Sequence, residues 1–244
     1  TNHKKVLVGK PTAPSMKSKA MKRIGNLYER IIAVENLQLA DQKARRGKLR
    51  SYGVRRHDKN REANTLALHE ALKNKTFKTS KYETFIIKDP KEREIYRLPY
   101  FPDRIVHHAI MNILEPIWVS VFTTDTFSCI KNRGINGCML KVDKALKDVE
   151  NTRYCLKIDV KKFYPSIDHD VLKQIVRRKI KCPDTLALLD QIIDSAAGVP
   201  IGNYLSQYFA NLFLAYFDHW IKEEVGVKYY FRYADDMVFL HKDK

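Results

Sequence analysis

Residues 229–240 read YYFRYADDMVFL, and this stretch decides how the rest of the chain is interpreted. Two runs of aromatic and branched apolar residues flank an Ala-Asp-Asp tip, which predicts a β-hairpin. Asp235 and Asp236 repel each other at such a tip, and a divalent cation such as Mg²⁺, which prefers carboxylate oxygens, would offset that repulsion. A solvated turn explains the same dipeptide, because Asp is common in turns.

The composition indicates a folded protein with a strongly basic N-terminal region. Of the 244 residues 44% are hydrophobic, and no apolar run approaches the ~20 residues of a membrane span, so we expect no membrane partner. The net charge is +17, and the first 61 residues hold 17 Lys or Arg against 4 acids. This excess predicts nucleic acid as partner, rather than a solubilising face or an anionic membrane surface. The densest candidates are Arg45, Arg46, Lys48, Arg50, Arg55 and Arg56.

Hydrophobic periodicity predicts an α+β fold. Helices are expected over about 16–46, 60–74, 103–118, 138–150, 168–180, 184–196 and 204–224, and strands over 82–88, 93–98 and 154–160 besides the closing hairpin. The basic residues 50–56 are expected to interrupt the helical pattern. Strand 154–160 should bury an apolar face of Tyr154, Leu156, Ile158 and Val160 and present Asp159 on its other face.

Asp159 and the Asp235–Asp236 pair each lie on or beside a predicted strand. If those strands are neighbours, three carboxylates meet at one point. Two divalent ions held there could activate a 3′-hydroxyl and stabilise a pyrophosphate leaving group. The four cysteines, Cys129, Cys138, Cys155 and Cys182, show no zinc-binding spacing, and we expect reduced thiols in a cytoplasmic protein.

Three stretches resemble the signature blocks of reverse transcriptases. FRYADD at 231–236 resembles their YxDD signature, and IDVKKFYPSI at 158–167 resembles their first catalytic block. Residues 93–109, with Leu98-Pro99, Asp103-Arg104 and the His107-His108 pair, resemble their fingers blocks. The resemblance covers roughly residues 80–244 in the family's order and implies an RNA-directed DNA polymerase.

The implied fold is the fingers and palm of a right-hand polymerase, with an antiparallel palm sheet packed on helices. We expect a basic N-terminal helical extension over 1–61, fingers over 62–150 and a palm over 151–244. Only eight residues follow Asp236, so we expect the helical thumb to be absent from this chain and processive synthesis by these residues alone to be weak.

The resemblance also implies residue roles. Asp159 and Asp235 would hold two Mg²⁺ ions, for which Mn²⁺ could substitute, with Asp236 and the carbonyl of Val160 in support. Contacts to the incoming deoxynucleotide are implied for Arg93, Arg104, Tyr164, Ile201 and Gly202. The two arginines would grip the triphosphate, and the ring of Tyr164 would exclude a 2′-hydroxyl. The histidine pair is explained by helix packing rather than metal binding, because no third ligand is evident.

Ile201, Gln207 and the His107-His108 pair are similar to enzymes of diversity-generating retroelements. That group copies a template RNA into cDNA, with frequent errors opposite adenine, and works with a small, basic, oligomeric accessory protein in a bacterial or phage setting. Two alternatives stay open: a retron, group II intron or phage-defence reverse transcriptase, and a non-catalytic nucleic-acid-binding scaffold.

Overall fold

The computed structural model describes residues 22–88 and 92–244, and its first half is mainly helical. Four helices come first: α1 (Tyr28–Ile32), α2 (Val34–Ala44), α3 (Tyr52–Asp58) and α4 (Arg61–Lys73). An antiparallel hairpin follows, formed by β1 (Glu83–Lys88) and β2 (Glu92–Arg97). After a π-helical turn at Tyr100–Arg104 come α5 (Ile105–Val119) and α6 (Ile135–Leu146).

The second half contains a small sheet surrounded by helices. Its elements are β3 (Tyr154–Ile158), α7 (Phe163–Ser166), α8 (His169–Lys179), α9 (Pro183–Ile193), α10 (Tyr204–His219), β4 (Tyr229–Tyr233) and β5 (Asp236–His241). The sheet has the order β3-β5-β4 and is antiparallel throughout. The predicted α+β class and the predicted closing hairpin are confirmed. The predicted long helix over 204–224 is α10 followed by a π-helical turn at Trp220–Glu224.

Helix α5 forms the centre of the core. Val106, Ile110, Leu114 and Trp118 recur every four residues and are all fully buried. They form one stripe along the helix, against which α1, α2 and α10 pack. Burial of each such side chain stabilises the fold by about 1.5–3 kcal/mol relative to exposure.

Two helical expectations near the N-terminus need correction. The helix predicted over 16–46 begins outside the described residues and is interrupted at Ala33, where φ −51° and ψ 137° are extended. The side chain of Asn36 donates hydrogen bonds to the carbonyls of Ile31 and Ala109, at 2.8 and 3.0 Å, and so links the end of α1 to α5 across this break. Residues 50–56, expected to interrupt the pattern, contribute most of α3. Position 53 of that helix requires glycine, because a Cβ there would lie only 2.8 Å from the Cβ of Tyr100.

Strand β3 does not bury the apolar face predicted for it. Tyr154, Leu156 and Ile158 are 47, 57 and 38% exposed, and only Val160, beyond the strand's end, is half-buried and packed against the core. The strand lies at the edge of the sheet, with β5 as its neighbour. The alternation of apolar and polar residues correctly predicted the strand. The predicted burial of its apolar face was wrong, because alternation alone does not show which element packs against that face.

A buried ion pair supports the hairpin of β4 and β5. Arg232 on β4 and Asp218 near the end of α10 are both fully buried, and Nε of Arg232 donates to the Asp218 carboxylate at 2.8 Å. Tyr230 and Thr126 donate their hydroxyls to the same carboxylate at 2.6 and 2.9 Å. The guanidinium also donates to the side-chain oxygen of Asn211 at 3.1 Å. Every strong acceptor and donor of the pair therefore faces a polar partner.

Across residues 22–88 and 92–244, no helix has both the length and the apolar character that crossing a bilayer requires.

Replacement of Asp218 by Asn should destabilise the protein by about 3–5 kcal/mol, because the Arg232 charge would stay buried without its counterion. Urea unfolding followed by circular dichroism measures this difference. Glu83→Gln is the matched control, since Glu83 pairs with Arg97 in the solvent-exposed hairpin and its loss should cost less than about 1 kcal/mol. Equal losses in the two variants would show that the buried pair contributes nothing beyond a surface contact.

Candidate active site

The turn between β4 and β5 places Asp235 at a tight bend. Tyr233 pairs with Asp236 across the hairpin, which leaves Ala234 and Asp235 as the two turn residues. Ala234 has a left-handed φ of +56°, which is unfavourable for a residue with a Cβ. The guanidinium of Arg232 donates to the Ala234 carbonyl at 2.9 Å and stabilises this turn. The buried ion pair is therefore hydrogen-bonded to Ala234, the residue next to Asp235.

Asp159 follows directly on β3, beside the same turn. Ile158 pairs with Met237 on β5, so continuation of that antiparallel register brings Asp159 toward Asp236. Burial raises the pKa of Asp235, and the negative charges of Asp159 and Asp236 raise it further, whereas the positive charge of Arg93 lowers it. Mutual repulsion of this kind requires the carboxylates to be close together. Asp159, Asp236 and Arg93 thus lie within electrostatic range of Asp235, and the strand register brings Asp159 toward Asp236.

The donor atoms at this place fit a hard divalent cation. Three carboxylates of partly buried or exposed aspartates provide oxygen ligands and negative charge, as Mg²⁺ requires. Within residues 22–88 and 92–244, however, no three Asp, Glu, His or Cys side chains are gathered into a complete ligand set. The ammonium of Lys157 lies 3.2 Å from the Asp236 carboxylate. The site therefore has side chains of a suitable type for a divalent cation, and one of them, Asp236, forms an ion pair with Lys157.

Tyr164 lies in α7, which follows the strand end that carries Asp159. Its ring is half-buried in α7 and makes an edge contact with Phe163, with 5.6 Å between ring centroids. Burial raises the pKa of its hydroxyl to about 12, with smaller contributions from Cys129 and from Asp235. The contribution of Asp235 indicates that the phenol is near that carboxylate. The ring predicted to contact the nucleotide is thus within electrostatic range of Asp235, one of the predicted metal ligands.

The loop 198–203 connects this site to the β1–β2 hairpin through close backbone approaches. Gly198 has φ +59°, and a Cβ there would lie 2.5 Å from the Pro165 carbonyl oxygen. Gly202 has φ +117°, and its Cβ would lie 2.7 Å from the Tyr96 carbonyl oxygen on β2. The Tyr96 N–H donates to the Ile201 carbonyl at 2.8 Å. Both glycines are required by backbone geometry, so Gly202 has a structural reason to be glycine besides its predicted nucleotide contact.

Arg104, which was predicted to act with Arg93, lies in a different environment. It lines a cavity of about 310 Å³ together with Lys43, Arg46, Lys48, His107 and His108, and Gly202 lies at the same cavity. Its Nε is 3.4 Å from the Leu98 carbonyl oxygen. Arg93 is exposed on β2, where its charge acts on Asp235. The structure therefore assigns the two arginines to separate surroundings.

The predicted basic residues also separate into two groups. Arg45 is directed inward, where its guanidinium pairs with Asp41 at 2.8 Å and with Asp58 at 2.7 Å. Burial acts to raise the pKa of Asp41, but hydrogen bonds from Tyr100 and Arg45 lower it overall. Arg45 is therefore part of the fold's internal charge balance. The remaining five, Arg46, Lys48, Arg50, Arg55 and Arg56, are exposed.

The histidine pair belongs to helix packing in the structure. His107 is buried in the first turn of α5, and the ring of His108 stacks on that of Tyr204, with centroids 4.6 Å apart. Neither belongs to a cluster of three metal-ligating side chains in the described part of the chain. Both nevertheless line the cavity that contains Arg104.

Several residues that shape the site were not predicted. Arg232 and Asp218 hold the turn, and Lys157 engages Asp236. Asp218 is the single charged residue among the mainly apolar residues 204–218, and it was a usable signal, because a buried carboxylate requires a partner. For Lys157 the signal was its alternation with Asp159, which places both on one face of β3.

Comparison with known proteins gives the family. The family model described as "Reverse transcriptase (RNA-dependent DNA polymerase)" matches residues 86–244. Protein YkfC of Escherichia coli K12 is 28% identical over 139 residues, which are 52% of this chain and 36% of YkfC. The group II intron-encoded protein LtrA of Lactococcus lactis subsp. cremoris is 23% identical over 145 residues, which are 55% of this chain and 24% of LtrA. The chain thus spans about a third or less of these relatives.

A solved structure shows the same fold. A chain of the "Partial Cas6-RT-Cas1–Cas2 complex" superimposes with a TM-score of 0.50 at 17% identity, covering 89% of this chain and 38% of that one. This similarity confirms the predicted fingers-and-palm architecture. With more than half of its residues matched by the family model, the chain belongs to the reverse transcriptase (RNA-dependent DNA polymerase) family.

Proposed function

We propose that the protein copies a template RNA into cDNA by transfer of nucleotides from deoxynucleoside triphosphates to a primer 3′-hydroxyl. The observation that carries this proposal is the electrostatic interaction of Asp159 and Asp236 with Asp235 at the hairpin turn. Carboxylates crowded in this way favour occupation by divalent cations. The family match supplies the reaction class.

Asp159 and Asp235 would hold two Mg²⁺ ions, or Mn²⁺ in their place, with Asp236 and the Val160 carbonyl as further ligands. When bound, such ions activate the attacking hydroxyl and stabilise the charge of the pyrophosphate leaving group. Arg93, whose charge already acts at Asp235, would neutralise the incoming triphosphate. Lys157 would release Asp236 to the cation, since an exposed ion pair contributes little stability.

The remaining predicted contacts concern the choice of nucleotide. Tyr164 is half-buried beside Asp235, where a rigid ring would exclude a 2′-hydroxyl and favour deoxynucleotides. Ile201 and Gly202 belong to the loop clamped between Pro165 and Tyr96, so their positions relative to Tyr164 are fixed by backbone contacts. Arg104 would contribute positive charge from the neighbouring cavity.

The exposed members of the basic group, Arg46, Lys48, Arg50, Arg55 and Arg56, would contact the phosphates of the template RNA and the cDNA. We place the protein in the bacterial cytoplasm, encoded by the bacterium or by a phage. A small, basic, oligomeric accessory protein would be its partner.

Within the family, we propose a diversity-generating retroelement enzyme. Ile201, Gln207 and the His107-His108 pair favour this subtype, and Ile201 cannot donate or accept a hydrogen bond at the base pair being formed. The similarity to LtrA favours a group II intron enzyme as the second candidate. A non-catalytic scaffold is less well supported, because all three aspartates are intact and the charges of Asp159 and Asp236 act on Asp235.

Asp235→Asn should stabilise the protein at pH 7 when divalent cations are removed by chelation. Because the pKa of Asp235 is raised in the folded state, the unmodified protein loses folding stability as the pH rises through that pKa. The Asn side chain does not ionise, so the substitution adds stability at neutral pH and none below about pH 3, where Asp235 is protonated in both states. The half-exposed position and solvent screening limit the gain to about 1 kcal/mol. Urea unfolding at both pH values measures it.

Mg²⁺ at about 100 times its dissociation constant should then stabilise the unmodified protein by about 2.7 kcal/mol, and Asp235→Asn much less. Asp143→Asn, an exposed substitution on α6, should respond to Mg²⁺ like the unmodified protein. Equal Mg²⁺ responses in all three proteins would place the ion elsewhere.

In primer extension on a defined RNA template, Asp235→Asn should lower the rate of deoxynucleotide incorporation on the order of 10³-fold, since several kcal/mol of transition-state stabilisation depend on the metal ligands. Asp143→Asn should keep the full rate. Incorporation by Asp235→Asn at the full rate would contradict the assignment of this carboxylate.

Ile201→Gln should reduce misincorporation opposite template adenine by about tenfold, because an amide that hydrogen-bonds the correct pair discriminates by about 1–2 kcal/mol. Sequencing of the extension products gives the error rate at each base. Ile201→Leu keeps an apolar side chain and should leave the error rate high. An unchanged rate in Ile201→Gln would remove the link between Ile201 and low fidelity.

A further inference from the structure

The imidazole of His169 joins three elements at the beginning of the loop 198–203. His169 is the first residue of α8, and its ring lies between that loop and the end of α9. Its Nε2 is 2.8 Å from the Gly198 carbonyl oxygen. Its Nδ1 is 3.2 Å from the carboxylate of Asp194, the C-cap residue of α9. A side chain of α8 therefore contacts the backbone of the loop directly.

The acceptors around the ring determine which nitrogen must carry a proton. A carbonyl oxygen can only accept a hydrogen bond, so the contact with Gly198 requires a proton on Nε2 of His169. The Asp194 carboxylate also only accepts, and Nδ1 donates to it when the ring is protonated. Lys173 donates to the other oxygen of this carboxylate at 2.7 Å and lowers the pKa of Asp194, and the contact with His169 lowers it further. The shorter contact, to Gly198, is thus a hydrogen bond donated by Nε2.

The beginning of the loop is held by few polar contacts. In the described parts of the chain, its first four residues make two further hydrogen bonds to the backbone of other elements. The Val199 N–H donates to the Tyr164 carbonyl at 2.9 Å, and the Ile201 carbonyl accepts from the Tyr96 N–H at 2.8 Å. The bond from His169 is the one that a side chain donates, so it is the one that substitution can remove.

Helix α8 gives the imidazole a fixed support. The Asp168 carboxylate accepts the Val171 N–H at 2.9 Å and so caps the start of the helix. The helix packs on α9 and α10 through a buried apolar face. A donor on the first residue of a capped and packed helix is held more precisely than a donor on a loop.

The loop carries this constraint to the residues predicted to contact the nucleotide. Gly198 lies against the backbone of Pro165, and Gly202 lies against the backbone of Tyr96. Both ends of the segment are in close contact, which leaves little room for it to adjust. Ile201 lies within this segment, so a shift of the Gly198 carbonyl would displace it.

We propose that His169 is a positioning residue, whose Nε2–H fixes the Gly198 carbonyl and thereby holds Ile201 and Gly202 where the incoming nucleotide binds. This inference rests on the proposed polymerase function, which supplies the nucleotide contact of the loop. His169 acts through the loop, and we assign it no contact with the nucleotide.

Two amide substitutions separate the two contacts of the ring. In His169→Gln the side-chain N–H lies about as far from the backbone as Nε2 does, and it can donate to Gly198. In His169→Asn the amide lies one methylene closer to the backbone, near the place of Nδ1, where it can reach Asp194 but not Gly198. The two variants carry the same functional group and differ in which contact they keep.

Hydrogen exchange of the loop tests the anchor without nucleotide or nucleic acid. The Val199 N–H exchanges with solvent when the loop opens. His169→Asn should speed this exchange about tenfold, because one hydrogen bond that opposes opening is lost. His169→Gln should keep the exchange rate of the unmodified protein. Two-dimensional NMR measures the rate at this amide.

Primer extension at varied deoxynucleotide concentration tests the consequence for the site. His169→Asn should raise the KM for the nucleotide about tenfold with kcat nearly unchanged, since a misplaced loop weakens binding in the ground state and the transition state alike. His169→Gln should restore the KM. A variant that merely folds poorly would contain less active enzyme, which lowers the apparent kcat and leaves the KM unchanged.

Arg177→Gln is the matched control. Arg177 lies on the same helix and donates to Asp190 of α9 at 2.9 Å, so its loss weakens the attachment of α8 at a point away from the loop. The exchange of Val199 and the KM should both stay unchanged in this variant.

The proposal is wrong if His169→Asn and His169→Gln behave alike in both measurements, or if His169→Asn speeds the exchange without raising the KM. Faster loop exchange in His169→Asn alone, in a protein that incorporates no nucleotide, would support the anchor at Gly198 and contradict the polymerase proposal instead.

Discussion

The buried pair of Arg232 and Asp218 is the interaction on which the position of the aspartates depends. Two charges without solvent exposure are costly, and their attraction offsets that cost only when the remaining donors and acceptors are satisfied. Tyr230, Thr126 and Asn211 provide those partners. Apolar residues of the same volume could stabilise the core equally well, but they could not donate to the Ala234 carbonyl. The pair therefore specifies the geometry of the turn more than it adds stability.

The turn that this pair supports carries negative charges that are not neutralised, unlike the pair itself. Asp235 is disfavoured as a carboxylate by burial and by the charges of Asp159 and Asp236. Arg93 and Lys157 compensate only in part, because both are exposed and their charges are screened. A satisfied ion pair in the core thus holds an unsatisfied cluster at the surface. An unbalanced charge on a rigid support is what a site for a cation and a triphosphate requires.

The sequence predicted those parts of the site that depend on local spacing. The hairpin follows from the alternation in residues 229–240, and the approach of Asp159 follows from its position at the end of a strand. What it did not predict depends on contacts distant in sequence. Asp218 and Arg232 pair across the end of α10, and Gly53 forms part of a helix because Tyr100 requires a close approach. The exposed face of β3 was missed for the same reason, since alternation gives a strand without giving what covers it.

Net charge was the least specific of the sequence signals. The +13 of the first 61 residues counts Arg45 and Lys48 alike, although Arg45 neutralises the buried Asp41 and Lys48 faces a cavity without acids. What matters for a nucleic acid is the charge left over after internal pairing. Among the described residues, Arg46 and Lys48 carry part of that surplus and line the cavity at Gly202. Gly198, four residues earlier in the same loop, lies against Pro165, next to Tyr164, on which the charge of Asp235 acts. A strand bound at this loop would have its phosphates attracted on the basic side and repelled on the acidic side until cations occupy the carboxylates. The loop therefore joins a basic environment to an acidic one, and the phosphates of a bound strand would be more strongly attracted at the basic end than at the acidic end.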